Sequence, residues 1–596
     1  MNRQPTAPSP IFVPTTLQEV RALGWNGLDV ILVTGDTYFD SPYIGAAVIA
    51  RVLLAAGYRV GIIAQPDVSS AEDITRLGEP SLFWGVTAGS VDSLVANRTA
   101  LGKPRKMDDL TPGGRNDRRP DRAVIVYSNL IRRHFKQTRP IVLGGIEASL
   151  RRISHYDAWT EGVRRSVLFD AKADVLIYGM GERSVVELAK ALTRHTDIAP
   201  IRGICYISAH MPPPCDAFAG EDIELPGHAQ VKSDKEAFGR MFALFYAHTD
   251  PVTAQRLIQQ QDTRYLVHNP PQHPLDVQAL DQVYALPYTY DVHPFYASQG
   301  PVKALETIQF SLTTHRGCYG ECRFCAIAVH QGRQVVSRSQ AALLKEAVRF
   351  TQHPRFKGII ADVGGPTANM YGFDCARKEG KGACADKSCL FPEPCRQLPV
   401  THQPQLDLLR ALRNLPGVRK LFVGSGIRHD LILADQRWGR TYLKTLLQHH
   451  VSGQLKIAPE HIQEEVLRLM GKPGKASLEK FLKLFQEANQ GLAQKAYLTY
   501  YLLAAHPGCT QAHMHHLRTF ALNTLHLLPE QVQIFTPTPS TFATLMYHTE
   551  KDPFTRSAIY VEKAVGKKQQ QKETVCKPTK AHRKRTRKQF GRGPKR

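Results

Sequence analysis

The sequence predicts an α/β protein made of an open α/β sheet followed by a partial (β/α)6 barrel. Three observations carry this. Residues 29–64 read strand, helix, strand. From Ile308 onward, short apolar runs alternate with amphipathic helical patterns. Between the first two of those runs stand Cys318, Cys322 and Cys325, spaced C-x3-C-x2-C on what the pattern makes a strand-end loop.

In the first unit, Asp29-Val30-Ile31-Leu32-Val33 is a buried strand ending in a turn at Gly35-Asp36. Ile44 to Ala56 has helical periodicity, Gly57 stops it, and Tyr58 to Ala64 is the next strand. Ala123–Tyr127, Pro140–Gly145 and Ala173–Gly179 are expected as further strands, the last leading into a helix from Ser184 to Thr193. Lys103 to Arg122 is polar and reads as an exposed insertion. Ligands of open α/β sheets sit beyond the carboxyl ends of the strands. That places Gly35, Asp36, Gly144, Gly145, Glu147, Gly179 and Glu182 on the ligand face, where plain turn residues would stand as well.

The expected division is 1–230 for this sheet, 231–300 for a proline-broken connector, 301–545 for the barrel, with a cysteine-rich insertion at 372–397, and 546–596 for a C-terminal extension. Barrel strands are expected at Ile308–Thr313, Gly358–Val363, Lys420–Gly424, Gln454–Ala458, Lys495–Leu502 and Gln531–Thr536. In such barrels the chemistry sits on loops at the strand C-termini.

Three thiolates on one tight loop can hold three irons of a [4Fe-4S] cluster and leave the fourth iron open for a small molecule. A structural zinc knot would want a fourth protein ligand. After the second barrel strand comes Gly364-Gly365-Pro366, whose glycines let a ligand approach the backbone. After the third come Ser425 and Arg428, the latter with a planar fork suited to a carboxylate. After the fourth come Glu460 and His461. Cys509, after the fifth, reads as a buried small residue. No catalytic residue is singled out. A second group, Cys375, Cys384, Cys389 and Cys395, lies in a loop with little to bury, so a metal is a sensible way to order it, either structural zinc or an auxiliary iron–sulfur cluster; free thiols are the alternative.

Of the 11 cysteines seven fall between Cys318 and Cys395, which suits metal ligands in a reducing compartment better than a disulfide framework. The N-terminus lacks a signal pattern and no run approaches the roughly 18 apolar residues of a membrane span. The expectation is a cytoplasmic protein with no membrane partner. Net charge is +24, and Lys567–Arg596 holds thirteen Lys and Arg against one Glu. Such a block is expected to be disordered, as a solvated tail or as an RNA-binding one.

Taken together, Pro287-Tyr288, His293-Pro294-Phe295-Tyr296, Thr314-His315-Arg316-Gly317-Cys318, Ala326 to Arg333, Ser337-Arg338-Ser339 and Thr536-Pro537-Thr538-Pro539 make the chain resemble the YgiQ-type radical S-adenosylmethionine (SAM) proteins. The resemblance implies an N-terminal domain of the flavodoxin or cobalamin-domain kind and a radical SAM barrel. It implies a [4Fe-4S] cluster on Cys318, Cys322 and Cys325, SAM held near Gly364, Gly365, Ser425, Arg428 and Glu460, and an external flavodoxin- or ferredoxin-like electron donor. The D-x-H-x-x-G cobalt-ligand loop is missing after Leu32-Val33-Thr34-Gly35-Asp36, which argues against cobalamin. The resemblance names no substrate. The competing reading is a non-catalytic iron–sulfur or zinc protein that binds RNA through its tail.

Overall fold

The computed structural model describes residues 11–529 and 531–576. Val30–Thr34 (β1), Val60–Ala64 (β2), Phe83–Thr87 (β3), Ile141–Gly144 (β4) and Val175–Ile177 (β5) pair in parallel. Ile204–Ser208 (β6), Ile223–Leu225 (β7), Leu257–Gln261 (β8) and Arg264–His268 (β9) complete a nine-stranded sheet in the order β7-β8-β9-β6-β5-β4-β3-β1-β2. The chain steps from β1 to β2 on one side and to β3 on the other, so a topological switch point falls between β1 and β3.

Every residue of β1 and β2 is buried, because helices cover both faces. Gly45–Ala55 (α1) packs one face, and Ala123–His134 (α2) the other. The short Gly145–Leu150 (α3) follows β4, and Glu182–Arg194 (α4) joins α1 on its face. Each Leu or Val taken from water here contributes about 1.5–3 kcal/mol.

Two features differ from the expectation. Ala123–Tyr127, expected as a strand, is the start of α2: its buried positions Ala123, Val124, Tyr127, Leu130 and Ile131 repeat at helical spacing once the run is followed to His134. A short β-branched run is ambiguous between the two periods. The hairpin β8–β9, in the expected connector, extends the first sheet past residue 230; its two-residue turn opens with Asp262 at φ +58°.

The barrel strands are Ser311–Thr313 (β10), Ile359–Ile360 (β11) with Asp362–Gly364 (β12), Lys420–Leu421 (β13), Gln454–Glu460 (β14), Tyr497–Ala504 (β15) and Gln533–Ile534 (β16). Adjacent strands pair in parallel, with a single bridge, Ile427 to Ile457, joining the third barrel position to the fourth. This is the expected partial (β/α)6 barrel. Val565–Cys576 (called αC below) packs on β15, β16 and the helix Gln511–Asn523, burying Lys568, Gln571 and Val575. Disorder expected from Lys567 onward therefore does not hold for this part of the tail. The rest of that expectation lies outside the described residues. Among the described residues no helix is long and apolar enough to cross a membrane.

Candidate functional site

The cysteine loop leaves β10 through His315-Arg316. Gly317 turns it at φ +82°, and a Cβ there would lie 1.8 Å from the Gln334 carbonyl oxygen, so no side chain fits. The loop is tied down at several points. The Cys318 amide donates to the Gly332 carbonyl (3.2 Å), the Cys325 amide to the Cys322 carbonyl (2.9 Å), and the Arg323 amide to the Met470 carbonyl (2.9 Å). The Arg323 guanidinium lies 3.9 Å over the Phe554 ring. Burial, with Cys322 alongside, pushes the Cys318 thiol up and the Cys325 thiol up to about 12. Buried thiols of this kind ionise when a metal replaces the proton.

Among the described residues no three His, Cys, Asp or Glu side chains converge on one ion position. A tetrahedral zinc, with Zn–S near 2.3 Å, would draw its sulfurs to within about 4 Å of one another. Three thiolates that each take a separate corner of a cluster stand further apart. By donor chemistry, three cysteine thiols on one loop suit an iron–sulfur cluster, whereas a closed zinc site would want a fourth protein ligand.

The loop's flanks, Arg316 and Ile327, open onto a chamber of about 470 Å³ between the two sheets. One wall is the C-terminal edge of β1, β3, β4 and β5; the other is the first strand ends of the barrel. Arg316 bridges the walls, ion-paired to Glu182 at the start of α4 and lying 5.1 Å over the Tyr284 ring. Downstream of the cysteines, Ile327–Gln331 (here αL) packs on α3, and His330 Nδ1 shares a 3.0 Å hydrogen bond with Ser149 Oγ.

Of the residues singled out in the sequence, Gly364, Gly365 and Ser425 line the chamber. A Cβ on Gly365 would meet the His315 ring at 2.6 Å, so this glycine makes room for that imidazole. Asp36, Gly144, Gly145, Gly179 and Glu182 line the opposite wall. Gly35 packs on the Ala88 carbonyl instead, and Glu147 is buried as acceptor of the Ser93 amide (2.7 Å).

Arg428 and Glu460 stand elsewhere. Arg428 is buried with its Nη1 3.6 Å from Cys322 Sγ and its Nε 2.9 Å from Asp430 Oδ1, so its fork is already used and does not face the chamber. Glu460 ends β14 at φ +67°, outside the chamber lining, with burial raising its pKa and Lys472 opposing that. His461, held by burial down to about 3, sits 3.7 Å from the buried Cys509 thiol. Burial also lifts that thiol to about 12, which makes the pair a neutral core contact.

Three residues of the second cysteine group, Cys375, Cys389 and Cys395, pack on the apolar cluster of Tyr319, Met370 and Phe373 that also receives Cys318; Cys384 does not. The buried Lys378 reaches Asp374 Oδ1 (2.7 Å) and lies 4.8 Å over the Tyr319 ring.

Asp362 was not singled out and is central. Its carboxylate accepts from the Gly424 amide (2.8 Å), the Ser425 amide (3.2 Å) and the Ser425 hydroxyl, and it lines the chamber; among the described residues no Lys, Arg or His is ion-paired with it. The missed signal was its place two residues before Gly364, on the inward face of the second barrel strand.

A partial barrel with a three-cysteine loop at its first strand end, closed by an α/β sheet, is a radical SAM-like fold. Residues 12–311 match the family described as Radical SAM N-terminal, and residues 530–592 a domain of unknown function, DUF3362. A UPF0313 protein of Fusobacterium nucleatum is 52% identical over 570 residues, spanning 96% of this chain and 99% of its own length. A UPF0313 protein of Thermotoga maritima is 47% identical over 578 residues, spanning 96% of this chain and 100% of its own. The chain belongs to the Radical SAM N-terminal family and to the UPF0313 proteins. Among solved structures, the radical SAM methyltransferase TsrM of Kitasatospora setae, with cobalamin and a [4Fe-4S] cluster bound, superposes with a TM-score of 0.45 at 14% identity, covering 86% of this chain and 73% of that one. The cobalamin-dependent radical enzyme OxsB, with aqua-cobalamin and SAM bound, gives 0.48 at 13% identity, covering 88% of this chain and 55% of that one.

Proposed function

We propose that the protein is a radical SAM enzyme whose chemistry takes place in the chamber between its two sheets. The observation that carries this reading is the cysteine loop: three thiols spaced C-x3-C-x2-C on one strand-end turn, whose flanks Arg316 and Ile327 open onto a chamber lined by Gly364, Asp362 and Ser425. Cys318, Cys322 and Cys325 would hold a [4Fe-4S] cluster. When bound, that group supplies one-electron cleavage of SAM to methionine and a 5′-deoxyadenosyl radical.

The chain's own residues do the positioning. Asp362 offers an uncompensated carboxylate to the cationic amino group of SAM, with Ser425 and the Gly424 and Ser425 amides fixing its orientation. Gly364 lets a ligand lie against the backbone. The Arg316–Glu182 pair and the αL–α3 contact press the N-terminal sheet over the chamber and exclude water, which a reactive carbon radical needs. The electron comes from an external donor. Cys375, Cys389 and Cys395, which share the apolar cluster of Tyr319 with Cys318, would carry an auxiliary cluster that helps to order their loop. Anaerobically reconstituted protein given a reductant and SAM should release 5′-deoxyadenosine.

A further inference from the structure

The chamber has an arm that the proposed chemistry does not use. It runs from the strand ends back beneath α1 and α4, along the face of the first sheet. Its floor is Leu32, Gly85, Val142 and Ile177, from β1, β3, β4 and β5. Register puts Gly85 between Leu32 and Val142 on neighbouring strands. Its roof is Ile49 of α1 and Val185 of α4.

Gly85 is the low point of this floor: lacking a Cβ, it leaves room that the Leu32 side chain partly takes and the chamber shares. Glycine inside a central strand weakens the strand, and its usual compensation is close approach of a ligand or backbone. Every other position named on this floor carries a branched side chain. Leu32 leans over the gap, with Cδ2 only 2.5 Å from where a Cβ on Gly85 would stand. Ile49, in a helix otherwise well buried on this face, is only partly buried because it faces the arm.

The mouth of the arm is polar in a particular way. Glu182 is buried, its Oε1 is taken by Arg316, and its Oε2 has no partner among the described residues. His315 Nε2, on the barrel side of the same chamber, is also buried and unpartnered. A buried carboxylate oxygen without a donor keeps a desolvation cost that no hydrogen bond offsets. A ligand that donates a hydrogen bond there removes that cost.

We infer that the arm is the substrate half of the chamber, and that it takes a small amphipathic molecule: an apolar ring or short chain under α1 and α4, and an amino or hydroxyl head that donates to Glu182 Oε2. The inference rests on the radical SAM reading for the word substrate, but binding in the arm stands or falls by itself. A folded macromolecule does not fit a space of about 470 Å³; a small molecule does.

N-phenyl-1-naphthylamine is a suitable probe, since it has apolar rings, one N–H donor and fluorescence that rises on leaving water. Wild-type holoprotein should bind it saturably at one site. Ile49→Trp, which fills the arm from a partly buried position, should weaken binding at least tenfold while the cluster absorption and unfolding temperature stay put. Glu182→Gln keeps an acceptor oxygen and should weaken it only a few-fold. Equal binding by wild type and Ile49→Trp, or no saturable binding by wild type, overturns the assignment. Release of 5′-deoxyadenosine by the same wild-type sample is scored separately. Its absence would count against the radical SAM reading and leave the probe result to decide the arm.

Discussion

Arg428 Nη1 lies 3.6 Å from Cys322 Sγ, with the other side of the guanidinium locked onto Asp430. Burial alone would lower the Arg428 pKa, but Asp430 and the two thiols more than reverse it, so the group stays charged. On the proposed reading, in which Cys322 ligates a cluster, a fixed buried cation beside it favours the state with one more electron.

Arg428→Gln should therefore lower the cluster's reduction potential. A redox titration followed by electron paramagnetic resonance should show roughly tenfold less reduced cluster at a fixed potential, about 59 mV for a one-electron couple. The substitution also strands Asp430, at a cost of about 3–5 kcal/mol by denaturant unfolding. Arg428→Lys keeps the charge and should shift the potential less. An unchanged potential in both variants would leave Arg428 a purely structural partner of Asp430.

Asp362→Asn should weaken SAM binding to the cluster-loaded protein by about 1.5–3 kcal/mol, the value of a hydrogen bond to a charged group, which is roughly tenfold to a hundredfold in dissociation constant. Titration calorimetry measures it. Full SAM affinity in this variant would place the amino-group site elsewhere in the chamber.

The strand ends were legible in the sequence because β1 and β2 are short continuous apolar runs followed by turn residues, and the cysteine loop because of its C-x3-C-x2-C spacing. Asp362 was not, since an acidic residue inside a strand looks like a lapse in the apolar pattern until the barrel turns it inward. Arg428 was read by its chemistry, a fork suited to a carboxylate. The fork does hold a carboxylate, but that of Asp430 two residues on, which no spacing rule reveals. Ala123–Tyr127 failed because five apolar residues do not distinguish strand from helix; the next seven do. The Arg316–Glu182 pair joins residues 134 apart and comes only from the folded chain.

The second cysteine group makes a countable prediction. Changing Cys375 and Cys389 together to Ser should remove about four irons per chain and leave the SAM-binding cluster, with its rhombic signal on reduction, in place. Iron and sulfide analysis of both proteins checks this. Equal iron in the two would leave Cys375, Cys389 and Cys395 as packing thiols.

Acid should destabilise the metal-free chain from an unusually high pH. Burial pushes His155, His450 and His506 down to about 4, against about 6.5 when unfolded. Below pH 6.5 the unfolded chain takes up protons that the folded chain refuses, so stability falls as pH drops from about 6.5 to 4 and is flat on this account above it. Urea unfolding across that window should show the slope, and His155→Gln should reduce it by about one proton. Stability that holds steady down to pH 4 would contradict the burial of these imidazoles as neutral groups.

The most direct measurement is SAM cleavage by the reconstituted protein under anaerobic reduction, beside Cys322→Ala prepared in the same way. The account predicts 5′-deoxyadenosine from the wild type and none from the variant, which should also lack the absorption of the SAM-binding cluster. An intact cluster that releases no 5′-deoxyadenosine with any of several reductants, or cleavage that survives the loss of Cys322, would contradict it.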